Sequence, residues 1–299
     1  TGGSNVAIGY EALTTEDTTG SSVAVGYRAL RVQNAGSTSY NVAVGTLAGT
    51  AITTGTTTTL LGGFAGTALT TATENTALGY SALGAATTSA RNVAVGTLAL
   101  GSGVMNTGTN TYNVAVGFYA GKAITTGVQN TIIGGLAGDA LTSGGENVAI
   151  GYGALSTEDA HGQNVAVGHN ALASLNAGAN ALNTAVGYNA GFAVTTGVRN
   201  TLIGSLAGDT ITTGNFNTAL GYQALAAEDT GNYNTAIGYK ALALQDAGDA
   251  YNTAVGFSAG ENMTTGVNNT LIGSLAGDAL TTGVQNVAIG YEALSTENA

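Results

Sequence analysis

The chain has 299 residues, of which 48 are Gly, and it contains no Pro, Cys or Trp. Only 8% of the residues are charged and 44% are hydrophobic, which excludes a disordered chain, because disordered chains are more charged and less apolar. A net charge of −11 with six basic residues leaves no surface to neutralise phosphates, so we expect no nucleic-acid partner. No apolar run has the length of a membrane span.

The chain is a tandem repeat along its whole length. The segment NVAIGYEAL at 5–13 returns as NTALGYSAL at 75–83, NVAIGYGAL at 147–155, NTALGYQAL at 217–225 and NVAIGYEAL at 286–294. Variants lie between these segments, and aligning them all gives seventeen copies, most of them 17 residues apart. Helical solenoids need longer units, and Gly and the Thr-rich joins interrupt any run of helical length.

The short unit predicts an all-β fold, a parallel β-solenoid of about 17 coils in which each unit closes one turn of a stack. The fifth motif position is Gly and the eighth is Ala in every copy, and the first is Asn except at Ser22 and Thr58. Such a Gly indicates a positive φ or a close backbone approach, and the Ala indicates room for one methyl group. The Asn is expected to bond its own backbone or to stack on the Asn of the next coil. These structural positions are represented by Asn75, Gly79, Ala82, Asn147, Gly151, Ala154, Asn217, Gly221 and Ala224.

A longer period of four coils lies over the first. The ninth motif position is Leu in two successive coils and Gly in the next two, throughout the chain. Longer units also recur once per four coils, and their extra turn residues lie at 31–40, 101–112, 173–182 and 243–251. We expect one repetitive domain over 1–299, with super-repeats at about 5–74, 75–146, 147–216 and 217–285 and a partial one at 286–299. Because the first and last coils are ordinary copies, we expect a segment of a longer fibre that continues end to end, or ends that other subunits cover.

Acidic pairs in turns are the first candidates for chemistry. Two carboxylates can divide acid and base work in a glycosidase, but catalysis needs one unique pocket and these pairs repeat. We therefore predict solvated turns, and no catalytic residue, at Glu16–Asp17, Glu158–Asp159, Glu228–Asp229 and Glu297.

Other polar residues are candidates for metal binding. Asp139, Asp209 and Asp278 lie about four coils apart, so they cannot share a calcium ion within one chain, and Asx turns are the expectation. The two histidines, His161 and His169, lie in adjacent coils without Cys, which makes a poor metal site, and we expect both imidazoles to be exposed. The sequence thus predicts no metal site and no cofactor.

An aromatic column supplies the candidate surface contacts. Tyr10, Tyr80, Tyr152, Tyr222 and Tyr291 share one motif position, where Tyr can bind a sugar or a protein partner. Tyr also packs on its neighbours in strands, and packing is the favoured interpretation. A flat Thr array is what ice-binding β-solenoids use, but the Thr-Thr-Gly turns lapse for two coils in every four, so ice binding is the lesser alternative.

The motif resembles that of a known family. NVAIG at 5–9, 147–151 and 286–290, with Ala three places after Gly, resembles the head repeats of trimeric autotransporter adhesins. The form Asn-Thr-Ala-x-Gly-Tyr-x-Ala-Leu at 217–225 and 234–242 is also similar to repeats of phage and bacterial tail-fibre-like proteins. The coils are longer than the usual adhesin-head unit, and Thr or Val stands where that family often has Ser. The resemblance spans essentially the whole chain and implies a left-handed β-roll packed as a homotrimer.

The resulting expectation is a structural, adhesive fibre segment that is not an enzyme. We expect it outside a cell, on a cell surface or on a virion, with itself and a host-surface glycan or protein receptor as partners. A trimer also follows from composition, because so few charges leave too little polar surface to cover every face. The alternatives are a single-chain solenoid and an ice-binding or carbohydrate-binding β-solenoid.

Overall fold

The computed structural model describes residues 3–16, 20–108 and 110–296. In these residues all regular secondary structure is β, with seventeen strands of three residues and no helix. The chain divides into two compact units, Thr1–Asn147 and Val148–Ala299. The second unit starts one residue after the start of the third predicted super-repeat at 147.

Each unit is a stack of coils with one strand per coil. The first unit contains β1 (Val6–Ile8), β2 (Val23–Val25), β3 (Val42–Val44), β4 (Thr59–Leu61), β5 (Thr76–Leu78), β6 (Val93–Val95), β7 (Val114–Val116) and β8 (Thr131–Ile133). The second unit contains β9 (Val148–Ile150), β10 (Val165–Val167), β11 (Thr184–Val186), β12 (Thr201–Ile203), β13 (Thr218–Leu220), β14 (Thr235–Ile237), β15 (Thr253–Val255), β16 (Thr270–Ile272) and β17 (Val287–Ile289).

Within each unit, successive strands are parallel and pair like with like. Thr76 pairs with Val93 and Ala77 with Ala94, each at the same motif position one coil further on. The second unit has the same register, as in the pairing of Thr218 with Thr235. The predicted parallel β-solenoid is therefore confirmed.

The Gly at the fifth motif position ends each strand. Its φ lies between +127° and +145° throughout the described chain. A Cβ placed on Gly79 would lie 2.6 Å from the carbonyl oxygen of Gly96, directly over it in the next coil. Gly151 and Gly221 have the same arrangement, with φ of +133° and +140°. Both predicted reasons for this Gly, a positive φ and a close backbone approach, are confirmed.

The invariant Ala closes the turn that follows. The N–H of Ala82 donates to the carbonyl of Gly79 at 3.4 Å, which reverses the chain after the strand. Ala82, Ala154 and Ala224 are fully buried, so their methyl groups point into the coil.

The Asn at the first position forms a ladder along each stack, which Ser22 and Thr58 interrupt in the first unit. The Asn217 Oδ1 accepts the backbone N–H of Asn234 at 2.9 Å, while its Nδ2 donates to the carbonyl of Gly231 at 2.7 Å. Asn75 makes the equivalent pair of bonds, and the N–H of Asn147 donates to the Asn130 Oδ1 at 3.0 Å. Each buried amide thus bonds a backbone carbonyl of its own coil, as one of the two expectations had it, and also the backbone N–H of the next coil.

The four-coil period is a packing pattern in the interior. The centre of the strand is Ala in three coils of four and Leu or Ile in the fourth. The large residue belongs to the second of the two coils that have Gly at the ninth position, and its side chain lies against both Gly residues, as Leu60 does against Gly49 and Gly66. Leu at the ninth position, such as the fully buried Leu83, fills the same space in the other coils. In each pair of Gly coils, one Leu or Ile at the strand centre therefore fills the space that two ninth-position Leu side chains fill in the other coils.

Candidate functional site

The outer face of each strand layer repeats the same residue types in every coil. The central strand residue points inward, while the first and third residues point outward. The third residue is always Val, Ile or Leu, and neither outward position holds a charged residue in any strand. Leu78 is 42% exposed and Leu220 is 44% exposed. An aliphatic column thus runs along each stack in contact with solvent.

Beside this face runs the predicted aromatic column, and its rings stack on one another. Tyr222, Tyr239 and Phe257 form a ladder with ring centroids 5.5 and 5.1 Å apart and nearly parallel planes. The middle ring has both faces covered, so it offers solvent only its edge. A sugar that stacks on an aromatic needs a free ring face, which is left only at the ends of such a ladder.

The other Tyr residues of that column vary in their neighbours. Tyr10 stacks on Tyr27 with centroids 5.6 Å apart, and Tyr80 meets Phe64 edge to face. Tyr152 stacks on His169 at 5.4 Å. All five predicted contact residues are exposed, as expected for either packing or binding, and these are Tyr10, Tyr80, Tyr152, Tyr222 and Tyr291.

A second aromatic column was missed by sequence reasoning. It lies at the residue just before the motif Asn, where Phe216, Tyr233 and Tyr251 stack with centroids 5.3 and 4.8 Å apart. The Arg199 guanidinium covers the end of this ladder, 5.2 Å from the Phe216 ring centroid. The available signal was weak, since other coils place Glu, Gln or Leu at the same position.

The prediction of solvated acidic turns is wrong for two of the glutamates. Glu158 and Glu228 are fully buried, whereas their neighbours Asp159 and Asp229 are exposed. The reason is the period of the coil: these Glu residues occupy the twelfth motif position, which most other coils fill with a buried aliphatic side chain. Glu16 occupies the same position and is half-buried. Asp17 and Glu297 lie outside the described residues.

The environment of Glu228 favours its protonated form. Its Oε1 accepts the N–H of Gly231 at 2.7 Å, and the Asn234 amide donates to its Oε2 at 3.3 Å. Burial nevertheless raises the pKa of Glu228 to about 7, because the charged form loses its hydration. The carboxyl of Glu228 therefore titrates close to neutral pH.

The two histidines have different environments. His169 is exposed, as predicted, and stacks between Tyr152 and Tyr188 in the aromatic column. The His161 side chain is only 27% exposed, and its Nδ1 lies 3.5 Å from the Glu158 Oε1. The expectation of an exposed imidazole is therefore wrong for His161. Among the described residues, the group able to hold a metal ion is Glu158, Asp159 and His161, not the two histidines together.

The isolated aspartates remain in separate coils. Asp139, Asp209 and Asp278 are each half-buried, and they do not come together. Burial raises the pKa of Asp139 and of Asp209 above the usual value.

The Thr residues fall into two sets. The first Thr of several Thr-Thr-Gly turns donates its hydroxyl to a carbonyl of the next coil, as Thr195 does to Thr212 at 3.1 Å. A second set, not singled out from the sequence, occupies the first outward strand position in six successive coils of the second unit: Thr184, Thr201, Thr218, Thr235, Thr253 and Thr270. The unbroken Thr array is therefore on the strand layer, not in the turns.

The second unit also has a shallow depression with a volume of about 450 Å³. The Lys240 Nζ and the Glu261 Oε1 lie 3.2 Å apart there, so the two charged side chains of the lining pair with each other. The rest of the lining is chiefly Ala and Leu, together with Thr210 and Gln223. It offers few groups to orient a ligand.

Comparison with protein-family models, curated proteins and solved structures found no match to this chain. The described residues include no helix with the length and hydrophobicity needed to cross a membrane. The fold defines the chain as a parallel β-solenoid.

Proposed function

We propose that this chain is a segment of a structural, adhesive fibre, built from three parallel copies that pack through the outer faces of their strands. The observation that supports it is the exposed aliphatic column. A face that exposes one Val, Ile or Leu per coil, without a charge, is an apolar patch of the kind that marks association surfaces.

A second copy is the occupant that matches this face best. The column repeats at the rise of one rung, about 4.8 Å. A parallel copy has the same rise, so the side chains of two copies interdigitate in every coil. A partner without this period would meet the column in only a few places.

The number of copies and the winding rest on the resemblance to adhesin heads. Those heads are left-handed β-rolls with three chains around one axis, and we propose the same arrangement here. The uncharged face lies at that axis, while the turns and the aromatic columns lie outside. In this arrangement the exposed Tyr residues are the candidate contacts for a glycan or protein receptor on a host surface.

The proposed role is mechanical, not catalytic. Rung-to-rung hydrogen bonds along each stack carry load, as in other solenoids where each repeat contacts only its neighbours. In the pairs Glu158–Asp159 and Glu228–Asp229 the Glu is buried and the Asp is exposed, so the two carboxylates do not face one open cleft as those of a glycosidase do. A location outside the cell or on a virion follows from the fibre proposal.

Leu220→Lys tests the proposal by placing a charge in the aliphatic column. Sedimentation equilibrium of the wild-type chain should give three times its mass of 29.1 kDa. Leu220→Lys should shift the equilibrium towards single chains, because three ammonium groups would meet near one axis.

Thr213→Lys adds the same charge in an exposed turn and should leave the mass unchanged. A single-chain mass for the wild type, or equal behaviour of the two variants, would contradict the proposal.

Ice binding is the second candidate, favoured by the six-coil Thr column of the second unit. Each of its coils carries an outward Thr and an outward aliphatic residue, as Thr201 and Ile203 do in β12. The two proposals exclude each other, since a trimer buries this face. Thermal hysteresis that Thr235→Lys abolishes would favour ice binding, and its absence in the wild type would eliminate it.

A further inference from the structure

One cluster of polar side chains breaks the repeat. Glu158, Asp159 and His161 lie in a single turn, and one ligand atom from each lies within 4.8 Å of the others. Glu158 is fully buried, and its Oε2 accepts no hydrogen bond. A buried carboxylate oxygen without a donor is rare in folded proteins, which points to a cationic occupant.

The equivalent turn one super-repeat later shows what is special here. There the Glu228 Oε1 accepts the N–H of Gly231 at 2.7 Å, just as the Glu158 Oε1 accepts the N–H of His161 at 3.1 Å. Glu228, however, receives a second donor from Asn234 on its other oxygen. The turn at 158–161 therefore differs in two ways, by an imidazole where the other turn has Gly and by an oxygen left without a donor.

The coil above offers Glu158 no substitute donor at its own motif position. In the first super-repeat, the Gln33 amide donates to the Glu16 Oε2 at 2.9 Å from the next coil. The corresponding residue above Glu158 is Leu175, which has no polar atom.

The geometry suits a small divalent cation. Two ligand atoms at about 2.0–2.1 Å from a tetrahedral zinc ion are roughly 3.4 Å apart. The Glu158 Oε1 and the His161 Nδ1 are separated by 3.5 Å. A carboxylate that binds through both of its oxygens would bring the donor-free Oε2 to the same ion. An oxygen of the exposed Asp159 carboxylate lies within 4.8 Å of the other two ligand atoms, so it can supply a third ligand, and water can complete the shell.

We propose that Glu158, Asp159 and His161 form a binding site for a divalent transition-metal ion of the zinc class. A mixed set of one imidazole and two carboxylates fits Zn²⁺ and Co²⁺ better than Ca²⁺, which takes six to eight oxygen ligands. Binding would neutralise the buried carboxylate and stabilise the turn at 158–161.

Metal titration of the full chain tests the site. The variants copy residues that stand at the equivalent positions of other coils. His161→Gly copies the residue found at Gly231, and Glu158→Gln copies the buried Gln245 of another coil, so both are compatible with the fold. His169→Ala is the matched control, because it removes the other imidazole. Calorimetry with Zn²⁺, the visible spectrum of bound Co²⁺ and the metal-dependent thermal midpoint are the readouts.

The wild type and His169→Ala should each bind one ion per chain, and both should gain thermal stability with Zn²⁺. His161→Gly and Glu158→Gln should each bind at least tenfold more weakly and lose that gain. Equal binding by His161→Gly and the wild type, or no saturable binding by a folded wild type, would overturn the assignment. The readout counts ions per chain, so it does not depend on whether the chain is a trimer.

Discussion

Leu202 is the residue on which the four-coil packing pattern can be tested most sharply. It is fully buried at the centre of β12, where the neighbouring coils have Ala. A Cβ on Gly191 would lie 2.7 Å from the Leu202 Cδ1, and a Cβ on Gly208 would lie 2.8 Å from its Cδ2. Leu202 therefore occupies the space that both Gly residues leave.

The magnitudes follow from that geometry. Leu202→Ala removes three carbon atoms, and the backbone hydrogen bonds between coils keep the resulting cavity from closing. We therefore expect the free energy of unfolding to fall by about 3–5 kcal/mol. Gly208→Leu alone forces its side chain against Leu202 and should cost about 1–3 kcal/mol. The backbone itself accepts Leu there, because Gly208 has a φ of +54° and Leu225 has +55°.

The double variant Leu202→Ala/Gly208→Leu should recover much of the loss, since the new Leu fills the new cavity. We expect a coupling energy of about 2–3 kcal/mol between the two sites. Urea unfolding followed by circular dichroism measures it. Amide hydrogen exchange across β11–β13 checks that the effect is local, because stacked repeats can unfold in segments. Strictly additive effects would refute the reasoning.

Two further predictions concern the backbone and the buried acid. Gly79→Ala should cost roughly 3–5 kcal/mol in urea unfolding, because its Cβ would collide with Gly96 at an unfavourable φ. Gly36→Ala, at a φ of +66° with open space around it, should cost only about 1–2 kcal/mol, and equal losses would contradict this account. Burial holds the pKa of Glu228 at about 7 in the folded chain against 4.5 in the unfolded chain, so stability should fall as pH rises from about 4.5 to 7. Glu228→Gln should remove about 2–3 kcal/mol of that fall, and an unchanged pH profile would show that Glu228 is not buried as described.

The stacking could be predicted from sequence because some positions tolerate only one residue type. At Gly79 both the φ of +137° and the contact with the coil above exclude a side chain, so every copy keeps Gly. At Ala82 the enclosed methyl site excludes anything larger. Such positions are visible in a single sequence because the chain repeats them.

Other features left no such signal. The seventh and ninth motif positions and the residue before Asn adopt left-handed φ near +55° with ordinary side chains, as at Gln223, Leu225 and Phe216. That region is costly but accessible to L-residues, so the sequence does not single it out. The burial of Glu158 and Glu228 was missed because Glu-Asp beside Thr and Gly is typical of a turn. The side chain at the twelfth position points inward because of the way in which the whole coil closes, and the local sequence does not show this.

A spin label on the outward strand face tests the central claim, that copies of this chain pack through that face. The chain has no Cys, so Ile237→Cys gives a single labelling site, and Thr213→Cys gives a matched site in a turn. If three copies meet at this face, the label at 237 should show strong dipolar broadening that dilution with unlabelled chains removes. The label at 213 should show less. An unbroadened spectrum at 237, from a fully labelled and folded chain, would contradict the account.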